Sequence, residues 1–199
     1  MSLTTAQTTA LKADILTNVN TIPVFRPFAG TAINAMPIGE DADFEIALWY
    51  NGTAVPDYFV WRDLPMDTVF NSISLANMTP IDSIPVVLDL DIQVWIARAL
   101  SCQGKQFNLQ NLTIGKTTAP MKKTNYRAAM QDCLTNIPAG AGGALLAANW
   151  VGVRDAAKQT ARWIEKLFAT GNGLFATPSD LVFEGTVSTN DVTQSRNLP

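Results

Sequence analysis

An apolar stripe in the last third of the chain limits its folding more than any other feature. Leu146, Trp150, Val153, Ala157, Thr160, Ile164 and Leu167 recur with strict 4-3 spacing, while Arg154, Asp155, Lys158, Arg162, Glu165 and Lys166 fall elsewhere on the wheel. The spacing predicts one helix over about residues 144–170. At 1.5 Å per residue it would be about 40 Å long, with Gly171 as its C′ residue. A helix of that length needs others to cover it. The expected fold is mostly α: a helix bundle around this helix, a small extended element, and an extended C-terminal arm.

The rest of the chain fits that frame. Thr4 and Gln7 have capping-box spacing and precede Leu11, Ile15 and Val19, which predicts a helix from about Thr5 to Asn18. Pro23, Pro27, Gly30 and Pro37 argue against regular structure over 20–37. Asp41 is placed to cap a short helix through Phe44, Ile46, Leu48 and Trp49, and residues 57–62 read as a strand. One weak helix and loops are expected over 65–87. From Asp89 or Asp91 a helix carries Ile92, Trp95, Ile96, Ala99 and Leu100, ending at Gly104 or running on toward Leu112. Thr124 opens another with Tyr126, Met130, Cys133 and Ile137, and the Pro138–Gly143 segment is too glycine-rich for a helix.

After Gly171 the pattern changes, which divides the chain into a body (1–171) and an arm (172–199). Phe175, Leu181, Val182, Phe183 and Val187 are too apolar for a solvated tail, each gaining about 1.5–3 kcal/mol on full burial. With Arg196, whose guanidinium suits a carboxylate, they are the candidate partner-interface residues.

Composition narrows the function. The chain has 199 residues, 47% hydrophobic and only 16% charged, so it has the means to fold and its surface invites a covering partner. No histidine is present, which removes the commonest general base and zinc ligand. Cys102 and Cys133 are too few for a cysteine metal cage. No catalysis, metal or cofactor is expected. Neither an export signal nor a membrane span is expected. Gly115-Lys116-Thr117 resembles the end of a phosphate loop, but position 110 is Gln110 rather than glycine.

Charge is unevenly distributed. Glu40, Asp41, Asp43, Glu45, Asp57, Asp63 and Asp67 face a single Arg62 over 40–67, whereas Lys105, Lys116, Lys122, Lys123 and Arg127 have no acid among them over 105–127. Pairing of Asp41, Asp43 and Glu45 with Lys116, Lys122, Lys123 and Arg127 of a neighbouring subunit would explain both runs. A metal-dependent enzyme using the 40–67 carboxylates is the rival from another class.

The run Glu165-Lys-Leu-Phe-Ala-Thr-Gly-Asn-Gly173, then Ala176-Thr-Pro178, Leu181-Val-Phe-Glu-Gly185, Val187-Ser188, Asp191-Val192 and Arg196-Asn197, resembles the C-terminal signature of a family of small virion proteins of tailed bacteriophages. Leu11–Ile15, Trp49-Tyr50-Asn51 and Phe59–Arg62 resemble it too, and Asn111–Lys116 does so loosely. Between 63 and 143 the resemblance is patchy and the chain carries extra residues. The resemblance implies a virion component assembled in the host bacterial cytoplasm, and within a particle a compact helical body with an extended C-terminal arm resembles a head-to-tail adaptor. Copies would form a homo-oligomeric ring, twelvefold if it follows the portal. The C-terminal arm would dock on portal, tail proteins would join below, and DNA would pass through the channel without specific binding. Tail-completion or capsid-stabilising roles are the neighbouring alternatives.

Overall fold

The computed structural model describes residues 3–74, 89–135 and 143–199. Its helices are α1 (Thr5–Thr17), α2 (Glu40–Tyr50), α3 (Met66–Asn71), α4 (Asp89–Thr113), α5 (Thr124–Thr135), α6 (Gly143–Ala157), α7 (Trp163–Phe168) and α8 (Thr189–Arg196). Short strands β1 (Phe59–Trp61), β2 (Leu64–Pro65), β3 (Thr118–Ala119) and β4 (Lys158–Thr160) pair as β1 with β4 and as antiparallel β2 with β3. The fold is mostly α.

The 146–167 stripe is carried by two helices rather than the expected one. In a continuous helix the Ala161 amide would donate to the Ala157 carbonyl. Instead, the Ala157 carbonyl accepts from the Arg62 amide at 2.8 Å, and the Ala161 amide donates to the Tyr58 carbonyl at 2.7 Å. Both halves of one helical bond are thus taken by residues distant in sequence. The seven-residue step from Ala157 to Ile164 matches a heptad, yet it crosses a strand.

Two compact units result: Met1–Val60 with Gln159–Pro199, and Trp61–Lys158. This division replaces the expected body and arm, because residues 172–199 belong to the first unit. The stripe divides with the chain. Val153 and Ala157 lie in the core of the 61–158 unit, and Ile164 lies in that of the other.

In the first unit, α1 starts as its sequence predicts. Thr4 Oγ1 accepts from the Gln7 amide, and the Gln7 side chain accepts from the Thr4 amide. Leu11 and Ile15 are buried, but Val19 lies beyond the helix end and is exposed. Residues 18–36 hold only a 3-10 turn at Ile33–Ala35 and a bridge between Thr21 and Ala32, and are pinned by backbone bonds including Ile22 to Thr31 and Gly30 to Ile22. Gly39, not Asp41, is the N-cap of α2, and Asp41 sits in its first turn.

The expected free arm is an integral layer. The Asn51 side-chain amide makes two 2.8 Å bonds to the Val187 backbone, one through each group. Phe183, Val187 and Val192 join the core with Leu11, Ile15, Ile46 and Ile164. Ser188 caps α8 with Asp191, and α8 packs on α1 and α2. Gly173 is required here: its φ is +63°, and a Cβ would fall 2.2 Å from the Tyr58 ring.

In the second unit, α5 buries Tyr126, Met130 and Cys133 as expected; Ile137 lies outside the described residues. Helix α4 runs through Gly104 to Thr113. Its fully buried residues are Cys102, Leu109 and Thr113; of the expected stripe Ile92, Trp95 and Ala99 are half-buried, whereas Ile96 and Leu100 are exposed. The Asn149 amide bonds both backbone groups of Ser74, at 2.9 and 3.0 Å.

Deleting residues 172–199 removes Phe183, Val187 and Val192 from one core. At about 1.5–3 kcal/mol each, their combined loss rivals the roughly 5–15 kcal/mol that holds an ordinary domain folded. The truncated chain should lose the cooperative unfolding of the first unit in calorimetry; a truncation that unfolds like the full chain would refute this packing.

Candidate functional site

Most residues expected to meet a partner are engaged within the chain. Arg196 Nη1 bonds the Asp43 carboxylate, and its Nη2 donates to the Met36 and Pro37 carbonyls at 2.8 and 2.9 Å. Thr193 Oγ1 donates to the other Asp43 oxygen at 2.7 Å. Asp43 is buried, and the guanidinium is almost so. The carboxylate partner expected on another protein thus lies on α2 of the same chain, met through Nη1 alone, and the contact locks α8 down.

Phe183 and Val187 are core residues and Leu181 is half-buried. What stays exposed is an apolar rim of the 174–182 loop: Leu174 at 57%, Phe175 at 55% and Val182 at 64% of full exposure. Phe175 is steadied by an edge contact with Phe59, centroids 5.2 Å apart. Across residues 172–199, folding sorts the apolar side chains into a buried set and a displayed set. Residues 178–180 are held by backbone bonds from Ser179 to Phe59 and between Asp180 and Thr170.

The proposed charge partners are placed likewise. Arg127 is buried, donating to the Met121 and Lys122 carbonyls and stacking its guanidinium 4.7 Å from the Trp61 ring. Lys122 pairs with Asp63 at 3.4 Å, and its amide donates to the same carboxylate. The acidic and basic runs therefore meet within one chain, at least at this pair. Lys116 donates to the Leu112 carbonyl at the end of α4, the role a lysine plays at a helix C-terminus. Glu45 is buried, 3.6 Å from Arg26. Asp41 and Lys123 remain exposed. The inter-subunit pairing is corrected in this respect: Asp43, Glu45, Lys122 and Arg127 are committed internally, because burying a charge without a partner costs several kcal/mol.

The 40–67 carboxylates do not converge. Asp43, Glu45 and Asp63 take separate cationic partners, Glu40 and Asp41 occupy the first turn of α2, and Asp67 that of α3. Among the described residues no group of three His, Cys, Asp or Glu side chains could hold a metal ion. No helix there is long and apolar enough to cross a membrane. Cys102 and Cys133 are buried thiols whose pKa burial pushes up, which lowers thiolate reactivity.

Trp163, off the 146–167 stripe, stacks on Trp49 with centroids 4.6 Å apart, and the Lys166 ammonium lies 4.7 Å from its ring. It borders a cavity of about 450 Å3 that Asp14, Asn18 and Tyr50 also line. There the Tyr50 hydroxyl donates to the Asp14 carboxylate, while Asn18 donates to Tyr50 at 3.3 Å. Burial and the Asp14 carboxylate push the Tyr50 pKa strongly upward, so the phenol stays a proton-bearing donor. Polar residues that close on one another in this way join α1 to α2. In sequence, Asp14 and Tyr50 fall in the Leu11–Ile15 and Trp49–Asn51 stretches that carry the resemblance, and Asn18 marks only the end of the first helix.

Against protein-family models, curated proteins and solved structures, the chain shows no match.

Replacing Arg196 with methionine strands Asp43 in a buried site, and the first unit should lose about 3–5 kcal/mol. Adding Asp43→Asn should restore part of it in a double-mutant cycle by thermal unfolding; additive losses would deny the coupling. In the second unit, burial acts to raise the Asp155 pKa, but hydrogen bonds and charge from Lys158 and Arg154 outweigh it and hold the value below the ordinary one. A lowered folded pKa stabilises the protein above the unfolded carboxylate range and loses that contribution as pH falls through the folded value. The stability gap between wild type and Asp155→Asn should therefore close in acid; a gap constant with pH would refute the ion pair's role.

Proposed function

We propose that this chain is a structural protein of a tailed-phage particle, a head-to-tail adaptor whose copies join portal to tail in a ring. The observation that carries the reading is where the resemblance falls. Leu11–Ile15, Trp49–Asn51 and the 165–197 signature all belong to the discontinuous first unit. Within it Leu11, Ile15, Tyr50, Ile164, Phe183, Val187 and Val192 share one core. Of the remaining similar stretches, Phe59–Arg62 runs across the boundary of the units in sequence and Asn111–Lys116 lies in the second, so the resemblance is concentrated in one folding unit without being confined to it. The extra residues between 63 and 143 fall in the second unit, a continuous stretch set into the first.

The mode of docking changes from the expected one. A packed C-terminus leaves the rim of Leu174, Phe175 and Val182 as the portal-facing element, displayed by a loop anchored through Phe59 and Ser179. A preformed loop loses less conformational entropy on docking than a free arm would. Exposed apolar clusters of this kind are where partner surfaces bind.

The test is binding of purified protein to portal from the same phage, followed by negative-stain microscopy. The double variant Phe175→Ser with Val182→Asp should fold like wild type, since both side chains are exposed, and should bind portal at least about ten-fold more weakly. Undiminished binding by that variant removes the rim from the reading, and the absence of any portal complex with wild type removes the adaptor assignment.

A further inference from the structure

Helix α4 has a second apolar face that the described residues of its own unit leave exposed. Ile96, Leu100, Gln103, Phe107, Gln110 and Ile114 follow one another at 4-3-4-3-4 spacing, which keeps them on one side of a helix through three turns and more. Ile114 lies one residue past the end of α4, and its amide still donates to the Gln110 carbonyl at 2.8 Å, so it stays in register. All six are exposed, with Ile96 at 46%, Leu100 at 61%, Phe107 at 62% and Ile114 at 66%. The buried face of Cys102, Leu109 and Thr113 lies about a third of a turn round the helix.

We propose that this face is a helix-pairing seam whose partner is the same face of a second copy of the chain, parallel and in register. Three observations select that occupant. First, the heptad order is that of a two-helix seam, with Leu100, Phe107 and Ile114 in one set of core positions and Ile96, Gln103 and Gln110 in the other. In register, each apolar residue meets its own copy, and each glutamine meets a glutamine with which it can exchange amide hydrogen bonds. An antiparallel pair would instead set Gln103 against Phe107 and Gln110 against Leu100, leaving amides unpaired.

Second, the face is neutral. Between residues 92 and 114 the charged side chains are Arg98 and Lys105, both on the far side of the helix, and Lys105 pairs with Asp132. An identical face therefore meets no repulsion, and a charged partner finds no complement. Beside the seam, Gly104 has nothing within 4 Å of the place a Cβ would occupy. A mid-helix glycine costs roughly 0.5–1 kcal/mol relative to alanine, and no contact among the described residues requires it. With Ala97 it lowers the flank of the seam for a closely packed helix.

Third, the area fits. The four apolar seam residues expose on the order of 400 Å2 per copy. Pairing buries about twice that, near the lower edge of specific interfaces. The pair is therefore a weak, concentration-dependent dimer in isolation.

This inference goes beyond the adaptor reading and does not rest on it. A two-fold pair is isologous, whereas a ring closes through head-to-tail contacts, so the two use different surfaces.

Sedimentation velocity of the full chain over a dilution series, with Leu100→Glu and Phe107→Glu as separate variants, tests it. Wild type should pass from dimer to monomer on dilution, and each variant should raise the dissociation constant roughly ten-fold or more. Both side chains are exposed, so circular dichroism and thermal unfolding of the variants should match wild type. Gln103→Cys should form an inter-chain disulfide under mild oxidation, because the two positions face each other in register. A wild type that is monomeric throughout, association unchanged in both glutamate variants, or no crosslink from Gln103→Cys overturns the proposal. Portal binding, measured on the same samples, should be unaffected by the seam variants.

Discussion

The fold depends on one exchanged hydrogen bond. The Ala157 carbonyl and the Ala161 amide, natural partners in a helix, are bonded to the Arg62 amide and the Tyr58 carbonyl instead. The helix must stop, the chain must extend through Lys158–Thr160, and the residues on either side are assigned to different cores. A continuous helix over 144–170 would have tied Val153 and Ile164 to one apolar layer. Breaking it gives two units of ordinary design, one formed from both ends of the chain and one from the middle.

Closure of the discontinuous unit then falls to its last residues. Asn51 holds Val187 by both backbone groups, Phe183 meets Phe168 edge-on at 5.6 Å, and Arg196 pairs with buried Asp43. Each contact is long-range in sequence, joining residues 43–51 or 168 to residues 183–196. The Asn51–Val187 and Asp43–Arg196 contacts form only once the ends of the chain have met, at a cost in loop-closure entropy, whereas Phe168 and Phe183 meet within the C-terminal segment. A segment that reads as an appendage by composition is therefore part of the core by energetics.

Local signals were legible in the sequence and non-local ones were not. The capping box at Thr4 and Gln7, the buried face of α5 and the strand around Phe59–Trp61 follow from short-range chemistry, and the structure has them. The long helix failed because the Ala157–Ile164 interval keeps a helical period across a strand, and only the bonds from Tyr58 and Arg62 distinguish the two cases. The free arm failed because Gly171, Gly173 and Pro178 mark turns without saying where the chain goes next. On α4, two apolar faces overlap in one sequence. Ile96 and Leu100 read as an inward stripe until Cys102, Leu109 and Thr113 are seen to fill that role. The charge runs failed in a similar way, since Asp63 and Lys122 are fifty-nine positions apart and meet in the fold.

Those internal pairings bear on how the molecule can recognise anything. Charged residues are scarce, and several of them bond one another: Asp43 with Arg196, Asp63 with Lys122, Asp132 with Lys105, Asp155 with Lys158 and Arg154. A carboxylate or ammonium already paired in the folded chain gains little from a second partner, because its desolvation has been met and its geometry fixed. Steering by charge is correspondingly weak. Displayed features include apolar side chains on anchored backbone, Leu174, Phe175 and Val182 in one unit and Ile96, Leu100 and Phe107 of α4 in the other. Recognition through such surfaces depends on shape and area removed from water, and these tolerate salt. Low charge and ample apolar content, set in this fold, favour association that is specific by fit and stable only when several contacts form together.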